Sequence, residues 1–312
     1  MTGYDPINFK SGDIFFGLDF SRPIVIAQRN FYQALRAQGV TTCFLVHDLL
    51  PICMPHYFPE GVRDLHGNWL EVISQSDALF SVSKNTAQEL KKWILKNVSS
   101  NTQRPQLHWF HLGADIKSSI PNSGLPLDAK SILKQMQEGL TFLMVGTLEP
   151  RKGYIQTLEA FELLWQRGFT INLVIAGKYG WMMEDFVSRL KNHPYYKTRL
   201  FWIDHASDEY LQALYNAATC LIFASEGEGF GLPLIEAAHH ELPVIARDIP
   251  VFREVAGSHV HYFSGLQATD LMETINEWIN LLHQGLISSS SNRPKHTWEQ
   301  SAIHLLSNIL SL

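Results

Sequence analysis

Short apolar runs alternate with longer amphipathic stretches along this chain, which predicts strands and helices in turn. Residues 13–18 read as a strand and 23–38 as a helix, with Pro23 in its first turn. Strands follow at 41–46, 78–82 and 107–110, separated by helices at 62–75 and 84–97. A loose segment at 113–129, with Ser, Pro and Gly scattered through it, marks the approach to a domain boundary. The pattern then restarts more regularly. Strands are expected at 140–145, 171–176, 200–203, 219–223 and 243–246, and helices at 154–167, 182–191, 207–216, 233–240 and 271–283. Residues 288–291 read as a linker and 298–310 as a last helix. Strands alternating with helices predict parallel sheets covered by helices on both faces. Such sheets take ligands beyond the carboxyl ends of their strands, so the loops after strands are where chemistry is expected.

At 312 residues and 46% apolar content the chain can build two domains, each with its own core. A formal net charge of −5 speaks against a nucleic-acid partner. The cysteines are Cys43, Cys53 and Cys220 with no CxxC pair, which supports neither a disulfide framework nor a zinc knuckle and fits a reducing, cytoplasmic compartment. The opening MTGYDPINFK lacks an apolar signal core, and no run reaches the roughly eighteen apolar residues of a membrane span.

Two strand ends carry the strongest signals. Gly146-Thr147-Leu148-Glu149-Pro150-Arg151-Lys152-Gly153 follows the strand ending at Val145. Its first glycine allows close approach of a ligand, and Arg151 and Lys152 add cations where a helix begins, which suits a diphosphate. A surface turn with a solvated basic pair is the plain alternative. The second signal is Ser225-Glu226-Gly227-Glu228-Gly229-Phe230-Gly231-Leu232-Pro233-Leu234-Ile235-Glu236, running from a strand into a helix with Pro233 in its first turn. Gly229 and Gly231 let backbone N–H groups face an anion or sugar hydroxyls. Glu228 lies on the loop and Glu236 on the helix, so two separate ligand contacts are more natural than a glycosidase pair flanking one bond. A glycine-rich turn with an incidental helix carboxylate is the plain alternative here.

Weaker signals remain. His47-Asp48 ends the strand at 41–46, where a histidine is more often structural than catalytic. Ser83 reads first as a helix cap. His239-His240 and His259-x-His261 lack partner ligands at useful spacing, so no metal site is expected. Lys91, Lys92 and Lys96 flank Trp93 on one helix. A solvated face is favoured there over contact with an anionic membrane.

With these motifs together, the chain resembles glycosyltransferase family 4, retaining enzymes of the GT-B fold. The resemblance runs from about Asp13 to Leu310. Glu228-x7-Glu236, with its embedded Gly-Phe-Gly-Leu-Pro, matches the family's E-x7-E signature, and residues 243–255 resemble the block that follows it. His47-Asp48-Leu-Leu-Pro51 is similar to the branch that builds mannose-rich bacterial polysaccharides. The resemblance implies two Rossmann-like α/β domains with parallel sheets facing a cleft. The first would span 1–125, with a final helix at 297–312 packing back on it, and the second 126–296. It implies transfer of a hexose, foremost mannose from GDP-mannose, to a saccharide or lipid-linked acceptor, with retention through front-face attack and no metal or other cofactor. Glu228 would contact hydroxyls of the transferred sugar and Glu236 the donor ribose. Gly146, Thr147, Gly229 and the backbone amides of Phe230, Gly231 and Leu232 would cradle sugar and diphosphate. Lys152, with Arg151, would neutralise the leaving group, and His47 would sit near the reacting carbon.

Two departures qualify this pattern. Thr147 stands where the family often has arginine, a charge that Arg151 can replace. The strand and glycine-rich loop with which a member usually opens are not recognised before Asp13. A reduced N-terminal domain is therefore expected, with the sequence a fragment or its acceptor side completed by a partner chain. The expected location is cytoplasmic, with peripheral contact at the inner membrane face left open. The competing readings are a non-catalytic nucleotide-sugar-binding subunit and, less well matched, a nucleotide-sugar epimerase.

Overall fold

The computed structural model describes residues 8–99, 104–115, 121–287 and 294–312. The linker expected at 288–291 lies outside the described residues, as does part of the loose segment at 113–129. The chain divides into two compact units, Met1–His111 with Ile303–Leu312, and Leu112–Ala302.

The first unit runs β1 (Ile14–Gly17), α1 (Arg22–Ala27), α2 (Arg29–Ala37), β2 (Thr41–Val46), α3 (Leu50–Cys53), α4 (Val62–Ile73), β3 (Ala78–Ser81), α5 (Lys84–Asn97) and β4 (Gln106–Trp109). Each strand pairs parallel with the next, giving the order β1-β2-β3-β4. β2 and β3 are central and almost wholly buried, which is why they read as continuous apolar runs. Phe44 and Val46 of β2 join Trp69 and Leu70 of α4 and Leu90 of α5 in the core. Ser83 does cap α5: its hydroxyl accepts from the Thr86 N–H at 3.0 Å.

One expected element is corrected here. The single helix at 23–38 is two, broken at Gln28, whose ψ of 15° leaves the helical region. The break follows the packing, because α1 lies on α4 whereas α2 lies on β2. The short α3 and the 3-10 turn Pro55–Tyr57 were not expected; neither is long enough to show a helical period.

The second unit runs α6 (Ala129–Glu138), β5 (Thr141–Val145), α7 (Tyr154–Gln166), β6 (Asn172–Ala176), α8 (Glu184–Lys191), β7 (Leu200–Ile203), α9 (Asp208–Ala217), β8 (Cys220–Phe223), α10 (Leu232–His239), β9 (Val244–Arg247), α11 (Pro250–Ala256), β10 (His261–Phe263), α12 (Ala268–His283) and α13 (Trp298–Ile309). α13 crosses the division, which falls between Ala302 and Ile303. All strands are parallel, in the order β10-β9-β8-β5-β6-β7. From β5 the chain moves outward through β6 to β7, then returns to the other side of β5 as β8. Such a reversal opens a crevice between the loops that leave the two central strands. α6, α11 and β10 went unforeseen. Ala129, Ile132, Leu133 and Met136 of α6 do fall at helical spacing, a signal that was available but passed over, whereas β10 spans three residues and is too short to carry a period. Among the described residues, no helix is long and apolar enough to cross a membrane.

Candidate active site

The loops after β5 and β8 meet at the switch point and are fastened together. Gly153 has φ of 73°, and a Cβ built on it would sit 2.5 Å from the Ala224 carbonyl oxygen. Only glycine permits that backbone approach. The Glu226 N–H donates to the Arg151 carbonyl at 2.8 Å, and Arg151 Nη1 donates to the Gly227 carbonyl at 2.7 Å. The contacts bring four charges into a row. Arg151 pairs with Glu149 at 2.9 Å and with Glu228 at 3.1 Å, and Lys152 Nζ forms an ion pair with the other Glu228 oxygen. All four side chains are nearly buried. Burial pushes the Glu228 carboxyl up, but Lys152 and then Arg151 outweigh it and hold the group below the usual carboxylate range. Glu149 is driven the other way, because burial outweighs Arg151 and Lys152 there.

The arrangement separates the two expected cations. Arg151 is enclosed by Glu149, Glu228 and the Gly227 carbonyl, so it braces the two loops. Lys152 ends a 3-10 turn, Pro150–Lys152, just before α7, and its Nζ would lie 3.8 Å from a Cβ on Gly146. It therefore stands beside the backbone of the first loop. Thr147 is partly exposed beside it. Gly231, with φ of 101°, caps α10, and Phe230 before it is buried.

Glu236 sits on α10 with a partner of its own. The Tyr215 hydroxyl donates to its Oε2 at 2.5 Å, and the Tyr215 ring stacks on His240. Burial raises the Glu236 carboxyl above its ordinary value, partly opposed by that hydrogen bond. The two glutamates of the motif thus occupy different environments, as their loop and helix positions suggested.

Two contributors were missed in the sequence. Glu149 was quoted but given no role, although it completes the charge row. The turn 177–180 after β6 was not singled out at all. A Cβ on Gly177 would fall 1.8 Å from the Gly146 carbonyl oxygen, and one on Gly180 would fall 2.6 Å from the Leu148 carbonyl oxygen. Leu148 also bridges to Tyr179. This turn is the wall against which the first loop is pressed. The Gly-x-x-Gly spacing directly after a strand was the available signal.

In the first unit, His47 directly follows β2 and touches the edge of Phe20, ring centroids 5.9 Å apart. Burial lowers its pKa, with Asp48 opposing. Among the described residues no group of three or more His, Cys, Asp or Glu side chains could hold a metal ion. His239 contacts the His296 carbonyl and His240 the Asn216 side chain.

The chain is similar to known proteins in fold and in sequence. A solved structure of Anabaena HepE in complex with UDP superposes with a TM-score of 0.70 over 96% of this chain and 79% of that one, at 16% identity. That likeness shows the fold, an α/β architecture of GT-B type. In sequence, the serotype-specific mannosyltransferase WbdA of Escherichia coli is 42% identical over 98% of this chain, which spans only 38% of that protein's length. The O-antigen chain mannosyltransferase RfbU of Salmonella typhimurium is 33% identical over 75% of this chain and 59% of its own. The family model for glycosyl transferases group 1 matches residues 128–284, the stretch that holds both fastened loops and Glu236. With that match and a likeness that runs through nearly all of its length, the chain belongs to the group 1 glycosyl transferases.

Proposed function

We propose that this chain is a retaining hexosyltransferase that moves mannose from GDP-mannose to a saccharide or lipid-linked acceptor in bacterial polysaccharide synthesis, without a metal ion. The observation that carries the reading is the clasp of Glu228 by Lys152 and Arg151 at the switch point. A glycosyl transfer develops negative charge on the leaving diphosphate. Lys152, poised beside the Gly146 backbone, and the starts of α7 and α10 offer positive charge there. Glu228, kept ionised by its cations, accepts hydroxyls of the transferred sugar. Glu236, oriented by Tyr215, accepts from the ribose. His47 serves the acceptor side. The names of WbdA and RfbU support mannose as the sugar. Exposed Trp109, Leu306 and Leu310 in the first unit support work at a membrane face, where lipid-linked acceptors reside.

Calorimetric titration with GDP, UDP and ADP, with and without excess EDTA, tests the donor site, and mannosyl transfer from GDP-mannose tests the reaction. GDP is expected to bind tightest and EDTA to change neither binding nor turnover. Preference for UDP or ADP overturns the donor, and loss of turnover in EDTA overturns the metal-free mechanism.

A further inference from the structure

A cavity of about 640 Å³ opens in the first unit between α4 and α5, with Leu49, Ile52 and Cys53 at one end. That volume lies within the range of small-molecule sites, roughly 300–1,000 Å³. Its lining surface is mostly apolar, and its charged groups balance: Arg63, Lys92 and Lys96 are matched by Asp64, Glu71 and Glu89. None of the ion pairs among the described residues involves any of these six side chains. Their hydrogen-bonding capacity is therefore not consumed by one another, although one oxygen of Glu89 accepts from the Asn85 amide at 3.0 Å. Trp93 lies between them, partly buried against the core.

Gly67 is the second, independent observation. It sits in the middle of α4, where glycine weakens a helix. It is not among the residues with positive φ, so no backbone conformation demands it. Nor does close packing, since a Cβ built there would meet only Ile52 Cδ1, at 3.9 Å. What the missing side chain provides is room in the cavity. The contrast with Gly153 and Gly177, where backbone leaves no space, is plain.

We propose that the groove between α4 and α5 binds a neutral oligosaccharide, gripping the acceptor chain by an inner sugar rather than by its reacting end. The proposal rests on the reading that the acceptor is a saccharide. Balanced charge gives no net attraction for a phosphate group or a cation. Carboxylates, amides and a guanidinium can each bridge neighbouring hydroxyls, while an aromatic face packs on the apolar face of a pyranose. The groove begins at Leu49, two residues after His47, so a chain lying in it leads from the carboxyl end of β2. The field of Asp48 reaches both Cys53 and Glu89, which agrees with that continuity.

Cys53 supplies the readout, because it is exposed at the groove while Cys43 and Cys220 are buried. α-Linked manno-oligosaccharides of increasing length are added to the whole chain, and alkylation of Cys53 is timed. A tetrasaccharide is expected to slow labelling at least fivefold and free mannose much less. Gly67→Gln is expected to abolish the protection while keeping or raising Tm, since glutamine favours a helix. Absence of protection at any length overturns the proposal, as does equal protection in Gly67→Gln. Protection by inorganic phosphate or anionic vesicles instead of the sugars also overturns it. GDP titration and GDP-mannose turnover report separately on the second unit. Protection without turnover therefore supports the groove and refutes the proposed function, whereas turnover without protection does the reverse.

Discussion

The two sheets differ in whether the chain reverses across them. In the second unit β8 returns to the far side of β5, so two loops from neighbouring strands open onto one crevice. In the first unit the described strands advance from β1 to β4 in one direction. The consequence is visible in the side chains. At the reversal, glycines are pressed against carbonyl oxygens and four charges are locked in a row. In the first unit His47 packs on the edge of Phe20, and a Cβ on the helical Gly67 would meet only Ile52 Cδ1, at an ordinary 3.9 Å. A reversal forces loops together, and glycine is what lets their backbones meet.

The sharpest way to break this contrast is to add one methyl group to each kind of glycine. Gly177→Ala forces a Cβ into the Gly146 carbonyl and is expected to cost about 4 kcal/mol or more. Gly67→Ala should leave stability unchanged or improve it by up to about 1 kcal/mol. Urea denaturation followed by tryptophan fluorescence measures both, and similar midpoints for the two variants would erase the distinction.

A second test asks whether the charge row serves chemistry or only the fold. Glu228→Ala is expected to lower turnover by about two to three decades, equivalent to roughly 2–4 kcal/mol, with a smaller change in GDP affinity. His47→Ala in the other unit should reduce turnover and leave GDP binding as it was. Near-normal turnover in Glu228→Ala rejects its contact with the transferred sugar.

The two cations should then separate. Lys152→Ala is expected to weaken GDP at least about tenfold, or about 1.4 kcal/mol. Arg151→Ala should weaken GDP no more than that, and show itself as lost stability, because its removal leaves Glu149 and Glu228 without their shared partner. Calorimetry paired with melting curves reads both quantities. An Arg151→Ala protein with wild-type Tm would show that the guanidinium is not a brace.

The smallest effect is expected at Tyr215→Phe. Loss of its hydrogen bond leaves the buried Glu236 carboxylate less stable, raising its pKa further. GDP affinity should therefore fall at a higher pH on acidification than in the parent protein. Stability carries the opposite sign. Glu236 already holds its proton above the ordinary carboxylate value when folded, so its contribution to stability shrinks as pH rises through that window. For Glu228, lowered by its cations, the contribution is present above the ordinary value and lost as pH falls through the folded one. Paired pH profiles of binding and denaturation check these signs, and identical profiles for Tyr215→Phe and the parent would remove Tyr215 from the site.

Much of this architecture was legible because the information is local. Buried parallel strands such as β2 and β5 are apolar runs whatever surrounds them, and the glycine-rich loop with its spaced glutamates reads as a ligand loop from one stretch of chain. The E-x7-E spacing also placed Glu228 on a loop and Glu236 on a helix, and the two do sit among different partners. The bend at Gln28 and the short α3, α11 and β10 were hidden, because each depends on a packing partner or is too short to carry a period. The tertiary structure alone decided that Arg151 braces while Lys152 stands beside the backbone, that Glu149 joins them, and that Gly177 walls the first loop. Those outcomes turn on which residues far apart in sequence come within a few ångströms. Side-chain charge and backbone clearance act over such distances, and they exist only once the strands have taken their order in the sheet.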